Sequence, residues 1–270
     1  MPTAIVSSSN PFVLSSTVQR LYTSVIQNRM AAPRQSRAKA VIVCDALRDE
    51  YLSDYLQGRI RWVITNLVSM GVDRSDIVPC MVYWPPDGSL KRTNGTKHRR
   101  LSIDLFMDAS VVVLMGGNVH GLLQSFHFEK AYHTVLTEQV NAEMCLLLTW
   151  SAGSTSIGSS VEHSRDLLSH LQLSINQASS VEHGRGLGLI PNYSFAPHWP
   201  VEKHPVFLAW FRRQARRFYG GKDHHLVLLP DDTSIVFEGS EHPVYWTHEK
   251  IGWINMGDFG MQREGARERT

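Results

Sequence analysis

Apolar residues in this chain fall into short dense runs separated by stretches with a helical repeat. Ala40–Cys44, Ile77–Tyr83, Val111–Met115 and Cys145–Thr149 are the dense runs. They are short, and read as strands buried on both faces of a sheet. Between them, Leu52, Leu56, Ile60, Val63, Ile64 and Leu67 make one broad apolar face along Glu50–Met70, a predicted helix stopped by Gly71. His120–Val140 predicts a second helix, on Leu122, Leu123, Phe126, Ala131, Val135 and Val140, and Ile103–Asp108 a short one. This strand–helix alternation over residues 40–160 predicts an α/β fold with a mostly parallel sheet and helices on both faces.

The flanks read differently. Residues 1–10 read as polar and loosely held, Phe12–Leu14 as a short strand, Ser15–Met30 as a helix and Pro33–Lys39 as a basic connector. Beyond the central block, Tyr193–Trp199 is an extended piece, with Ala196 biased to that geometry by Pro197. Val201–Tyr219 has helical spacing and a basic outer face. Leu226–Leu229, Thr233–Phe237, Val244–Thr247 and Lys250–Met256 are short apolar segments with tight turns between them. They predict antiparallel strands added to the sheet edge or packed as a meander. Residues 1–260 are expected to form a single domain, and 261–270, with few apolar groups, a disordered tail.

Chemistry concentrates where a strand ends in a sharp turn. Cys145–Thr149 leads into Trp150-Ser151-Ala152-Gly153, and Ser154–Gly158 begins a helix or helix-like turn. A serine in such a turn exposes its hydroxyl at the carboxyl end of the sheet, where the amides of the following helix can stabilise negative charge. Ligands of open α/β sheets bind at that rim, and Asp45 and Gly116-Gly117 also end strands there. The two glycines allow close backbone approach. The amides of Gly117 and Ala152 are candidate oxyanion-hole donors, each worth about 3 kcal/mol when removed. A serine needs a base, and the base a carboxylate behind its ring. His198, on the extended piece, is the candidate base, and Asp166 and Glu162 are the nearby acids after the turn. The near-copies SSVEHSR (Ser159–Arg165) and SSVEHGR (Ser179–Arg185) read as two similar turns and not as a repeat architecture.

Composition narrows the field. With 270 residues and 43% hydrophobic content the chain can bury a large core, and a net charge of +2 gives no argument for nucleic acid or a membrane surface. No apolar run reaches the ~18 residues of a spanning helix, and no secretory signal is readable. Cys44, Cys80 and Cys145 all lie in apolar runs, which suggests buried thiols in a reducing, cytoplasmic setting. Pro85–Arg100 carries Lys91, Arg92, Lys97, Arg99 and Arg100 against Asp87 alone. It reads as a solvated loop, or as a basic rim that attracts an acidic substrate. The histidines lack metal-ligand spacing, and Gly116-Gly117 lacks the continuation of a dinucleotide fingerprint, so no metal and no cofactor are expected.

Four segments together resemble one known family. WSAGS at Trp150–Ser154 is similar to the nucleophile elbow of peptidase family S51, the dipeptidase E and cyanophycinase group. MGGN at Met115–Asn118, LGLIPNYSFAPHW at Leu187–Trp199 and LLPDDTSIVFEG at Leu228–Gly239 resemble its glycine-rich turn, its histidine segment and its later strand pair, in the same order. The resemblance implies a class I glutamine amidotransferase-like fold, with Ser151 as nucleophile and His198 as general base. It places the acid about fifteen residues beyond the serine, on Asp166, with Glu162 as fallback. Asn118, in the MGGN segment, is a candidate substrate-binding residue, and so are Lys91, Arg92 and Arg99 of the basic loop, which departs from the family's pattern but would suit an acidic substrate. The implied activity is hydrolysis of an amide next to an aspartyl residue in a short peptide, through an acyl-enzyme. The expected partner is a short acidic or aspartyl peptide, with a homodimer admitted as the assembly. A non-catalytic peptide- or protein-binding member of the fold and an amidase for a non-peptide amide are the competing readings.

Overall fold

The computed structural model describes residues 2–9, 16–31, 39–46, 54–83, 99–100, 102–161, 184–199, 224–239, 242–246, 252–255 and 261–262. An eight-stranded sheet forms its centre. It contains β1 (Pro2–Ser7), β2 (Lys39–Val43), β3 (Ile77–Met81), β4 (Arg99–Arg100), β5 (Ala109–Leu114), β6 (Leu146–Trp150), β9 (Ser234–Glu238) and β10 (His242–Trp246), in the order β10-β9-β1-β6-β5-β2-β3-β4. The six strands from β1 to β4 run parallel, and β9 and β10 add antiparallel to β1 and to each other. A second sheet, ordered β12-β11-β8-β7, pairs β7 (Tyr193–Pro197) in parallel with β8 (His225–Leu229). The strands β11 (Gly252–Asn255) and β12 (Met261–Gln262) extend it antiparallel.

Alternation along the strands builds two cores. Val41, Val43, Val112, Leu114 and Leu147 point to one face, where they meet Leu122, Phe126, Leu136 and Val140 together with Tyr193, Phe195, Val227 and Leu229 of the second sheet. Ala40, Ile42, Val111, Val113, Leu146 and Leu148 point to the other, against Tyr22 and Ile26 of α1 (Ser16–Ala31) and Ile60, Val63, Ile64 and Leu67 of α2 (Asp54–Ser69). Period-two strands sandwiched between apolar stripes are the pattern expected of a sheet covered on both sides. Three further helices follow the chain order: α3 (Ile103–Met107), α4 (Val119–Phe128) and α5 (Lys130–Asn141).

Several expectations need correction. The N-terminal residues are not loose: Ala4, Ile5 and Val6 are fully buried, and β1 lies between β6 and β9. The single helix read over His120–Val140 is two, broken at Glu129, which leaves helical geometry at φ −107 and ψ 61. Met261 and Gln262, read as tail, pair with Ile254 and Trp253. The antiparallel strands divide between two sheets, because β9 and β10 join the main sheet while β11 and β12 join β8. The strand read at Phe12–Leu14 and the helix read at Val201–Tyr219 lie outside the described residues. The two SSVEH segments are described only at their edges, where Ser160 bridges Arg185 in an antiparallel contact.

Candidate active site

Strand β6 ends at Trp150, and α6 (Ala152–Ile157) starts two residues later. Ser151 alone makes the turn, at φ 49 and ψ −119. This conformation is costly for a residue with a Cβ and persists only where its surroundings hold it. The turn also demands small neighbours. A Cβ on Gly153 would lie 2.3 Å from the Leu114 carbonyl oxygen, so α6 can seat against β5 only without one. A Cβ on Gly116 would lie 2.9 Å from the Ser151 Cβ. The glycine turn after β5 therefore passes directly beside the serine.

Ser151 Oγ lies 2.9 Å from His198 Nε2, and His198 Nδ1 lies 2.6 Å from Asp231 Oδ1. His198 follows β7 at φ 58, again in left-handed backbone. Asp231 stands in the Pro230–Thr233 turn between β8 and β9. The register explains the meeting: Pro197 of β7 is paired with Leu229 of β8, so both chains leave the second sheet side by side and reach the same rim. His198 and Asp231 are partly open to solvent, with side chains 49% and 67% exposed. An imidazole between a hydroxyl and a carboxylate can take the hydroxyl proton while the carboxylate fixes the ring.

The carboxylate behind the ring is thus Asp231, not the expected Asp166. Asp166 and its fallback Glu162 lie outside the described residues. Asp231 already occupies Nδ1, the one ring nitrogen that does not face Ser151.

A cavity of about 350 Å³ opens in front of the hydroxyl, lined by Arg59, Val63, Trp150, Gly116 and Gly117 among others. Gly117, at φ 149, is in backbone that favours glycine. Ala152 is the first residue of α6, and the first amides of a helix have no partner within it. Asn118 caps α4, its Oδ1 accepting the amides of His120 and Gly121 at 2.9 and 3.2 Å. Lys91 and Arg92 lie outside the described residues, and Arg99 lies in β4. Arg59, one turn before Val63 on α2, lines the cavity and was not singled out from the sequence. Its helix was legible, but only packing could show which face of that helix reaches the rim. Among the described residues no cluster of metal-ligating side chains occurs.

Asp45, also expected at this rim, is wholly buried and turned inward. Its carboxylate accepts the amides of Val82 and Tyr83 at 2.9 and 3.0 Å, which ties the end of β2 to the exit of β3. Burial pushes its carboxyl above the ordinary value of 3.8, and hydrogen bonds from the Ser125 side chain and then from these amides offset part of that shift.

A serine at a strand-to-helix turn, backed by an imidazole and a carboxylate at the rim of a parallel sheet, is the arrangement of a serine hydrolase. The family model described as Peptidase family S51 matches residues 90–244, and the chain belongs to that family. No curated protein matches the chain. Among solved structures, it is similar to a protein from Listeria monocytogenes EGD-e assigned as a peptidase E. That pair is 16% identical with a TM-score of 0.55, over 92% of this chain and 98% of that one. It is also similar to a peptidase from an acI-B1 Actinobacterium, 15% identical with a TM-score of 0.56, over 99% of this chain and 96% of that one. Both likenesses speak for the fold.

Proposed function

We propose that this protein is a serine peptidase that hydrolyses the amide bond following an aspartyl residue in a short peptide, through an acyl-enzyme on Ser151. The observation that carries the reading is the unbroken Ser151–His198–Asp231 chain at the mouth of a cavity walled by Gly116-Gly117. In the first step Ser151 Oγ bonds to the carbonyl carbon and its proton passes to His198 Nε2. The amides of Gly117 and Ala152 hold the tetrahedral oxygen. His198 then gives the proton to the leaving amine as the carbon–nitrogen bond breaks. A water molecule repeats the cycle: its proton goes to His198, its oxygen bonds to the acyl carbon, and Ser151 leaves as the hydroxyl.

The acidic preference is supported by Arg59 and by the direction from which it approaches. The leaving amine must lie toward His198, which protonates it. His198 arrives with the second sheet, packed on one face of the main sheet, whereas Arg59 arrives on α2, packed on the opposite face. The acyl side of the substrate therefore faces Arg59, and a carboxylate there gains a charge-assisted hydrogen bond. The cavity of about 350 Å³ is of a size that takes a short peptide. The basic residues Lys91, Arg92 and Arg99 belong to the same proposal as a rim that attracts acidic peptides.

The test is a substrate panel of Asp-Leu, β-Asp-Arg and Asp-p-nitroanilide against neutral counterparts, with wild type, Ser151→Ala and Arg59→Met. We expect Asp substrates to be preferred, and turnover to vanish in Ser151→Ala. Arg59→Met should raise KM for Asp substrates roughly ten-fold or more, the scale of one lost hydrogen bond to a charged group, with little change for neutral ones. Equal loss on neutral and acidic substrates would remove Arg59 from recognition, and preference for a neutral amide would replace the aspartyl reading with that of a general amidase.

A further inference from the structure

Three residues in or next to the Ser151–His198–Asp231 chain have left-handed backbone: Ser151 at φ 49, His198 at φ 58 and Asp232, next to Asp231, at φ 63. All three donate their backbone N–H to the same dipeptide at the end of β1. The Ser151 amide donates to the Ser8 carbonyl at 3.0 Å and, at 3.3 Å, to the Ser7 carbonyl before it, the His198 amide donates to Ser8 Oγ at 2.8 Å, and the Asp232 amide to Ser9 Oγ at 3.1 Å. Each serine hydroxyl, having accepted an amide, is free to donate its own hydrogen, and both donate to Asp231 Oδ1 at 3.3 Å. That is the oxygen His198 Nδ1 bonds. The Ser8 amide is itself anchored on the Thr233 carbonyl at 3.0 Å. Ser8 is wholly buried, and Ser9 lines the cavity.

We propose that Ser8-Ser9 is the positioning element of the site, a clamp that holds nucleophile, base and acid in register from one point of the chain. The inference rests on the reading of Ser151, His198 and Asp231 as a catalytic triad. The three triad residues follow β6, β7 and β8, strands of two different sheets. Nothing in the pairing of either sheet alone fixes the serine relative to the imidazole. The Ser8-Ser9 segment leaves the main sheet and touches both sides. Left-handed backbone at residues with a Cβ persists only where surrounding bonds over-determine it, and here the three bonds converge on two residues. The hydroxyls also fix the carboxylate, since two O–H donors on Oδ1 limit its rotation away from the ring.

The test compares Ser9→Thr with Ser9→Val, nearly isosteric side chains that differ in the hydroxyl, and adds Ser8→Ala. Ser9→Val should lower kcat roughly ten-fold or more with KM nearly unchanged, because small displacements of reacting groups act on the chemical step. Ser9→Thr should retain most of the wild-type kcat, and Ser8→Ala should lose more than Ser9→Val. The low-field proton resonance of the His198–Asp231 hydrogen bond, read without substrate, should stay sharp in Ser9→Thr and broaden or vanish in Ser9→Val and Ser8→Ala. If Ser8→Ala does not fold, the Ser9 pair decides. Identical kcat and identical resonances in Ser9→Thr and Ser9→Val would overturn the proposal. The resonance reads the clamp even if wild type cleaves no peptide of the panel, so failure of the clamp and failure of the peptidase reading are distinguishable.

Discussion

Asp231 reaches His198 from 33 residues further along the chain, and that separation hid it. An acid sought near the serine in sequence leads to Asp166 or Glu162. Parallel neighbours bring together residues that are far apart in sequence, and the Pro197–Leu229 register does so here. A usable signal was present: Pro230-Asp231-Asp232 ends an apolar strand run at a turn, as His198 does. Ser151 and His198 were legible because each sits inside a recognisable local pattern, a strand-to-helix turn and a Pro-His-aromatic segment. The Asp231→Asn variant should lower kcat on the order of 10⁴-fold, because the amide no longer holds the imidazole in the right tautomer. The Asp166→Asn and Glu162→Gln variants should stay within about two-fold of wild type in the same assay, since neither replaces the group behind the ring. Near-normal turnover in Asp231→Asn, with loss in Asp166→Asn, would return the acid to Asp166.

At the scale of elements, the buried runs and amphipathic helices of residues 40–160 were readable because packing on a two-sided sheet leaves a strong pattern. β1 was not. Its apolar stretch is only Ala4–Val6, flanked by Thr3 and Ser7, which are buried as polar residues. Their partners are remote in sequence: Thr3 Oγ1 donates to the Gly239 carbonyl at 2.7 Å, and Ser7 Oγ shares hydrogen bonds with Tyr22 and Ser234. Asp45 shows how the carboxyl end of a strand is fixed. Its buried carboxylate ties β2 to the residues just past β3, and burial raises its carboxyl in the folded state. The folded chain then holds this proton to higher pH than the unfolded chain. Below the ordinary 3.8 the group is protonated in both states, and as pH rises from there through the folded value, stability is lost. Asp45→Asn removes that loss, at the constant expense of one acceptor. Urea midpoints measured from about pH 4 to about pH 8 should therefore show the variant gaining on wild type as pH rises. A difference independent of pH would show that Asp45 titrates as an ordinary carboxyl.

Over the whole molecule, two sheets share the work of the site. The main sheet presents Ser151, the glycine turn and, through α2, Arg59, while the second sheet delivers His198 and Asp231. The α/β class and its parallel core were legible in strand–helix alternation. The second sheet was not, because short apolar segments do not reveal which edge they join. The match to peptidase family S51 over residues 90–244 includes Ser151, His198 and Asp231. No helix among the described residues is long and apolar enough to cross a membrane. The central claim is that Ser151 is a nucleophile activated by His198. The most direct measurement is labelling of the folded protein with a fluorophosphonate, followed by mass spectrometry of the modified peptide, in wild type and His198→Ala. A single adduct on Ser151, formed quickly in wild type and lost or strongly slowed in His198→Ala, is the predicted result. A folded wild-type protein that stays unlabelled, or one labelled equally in the His198→Ala variant, would contradict it.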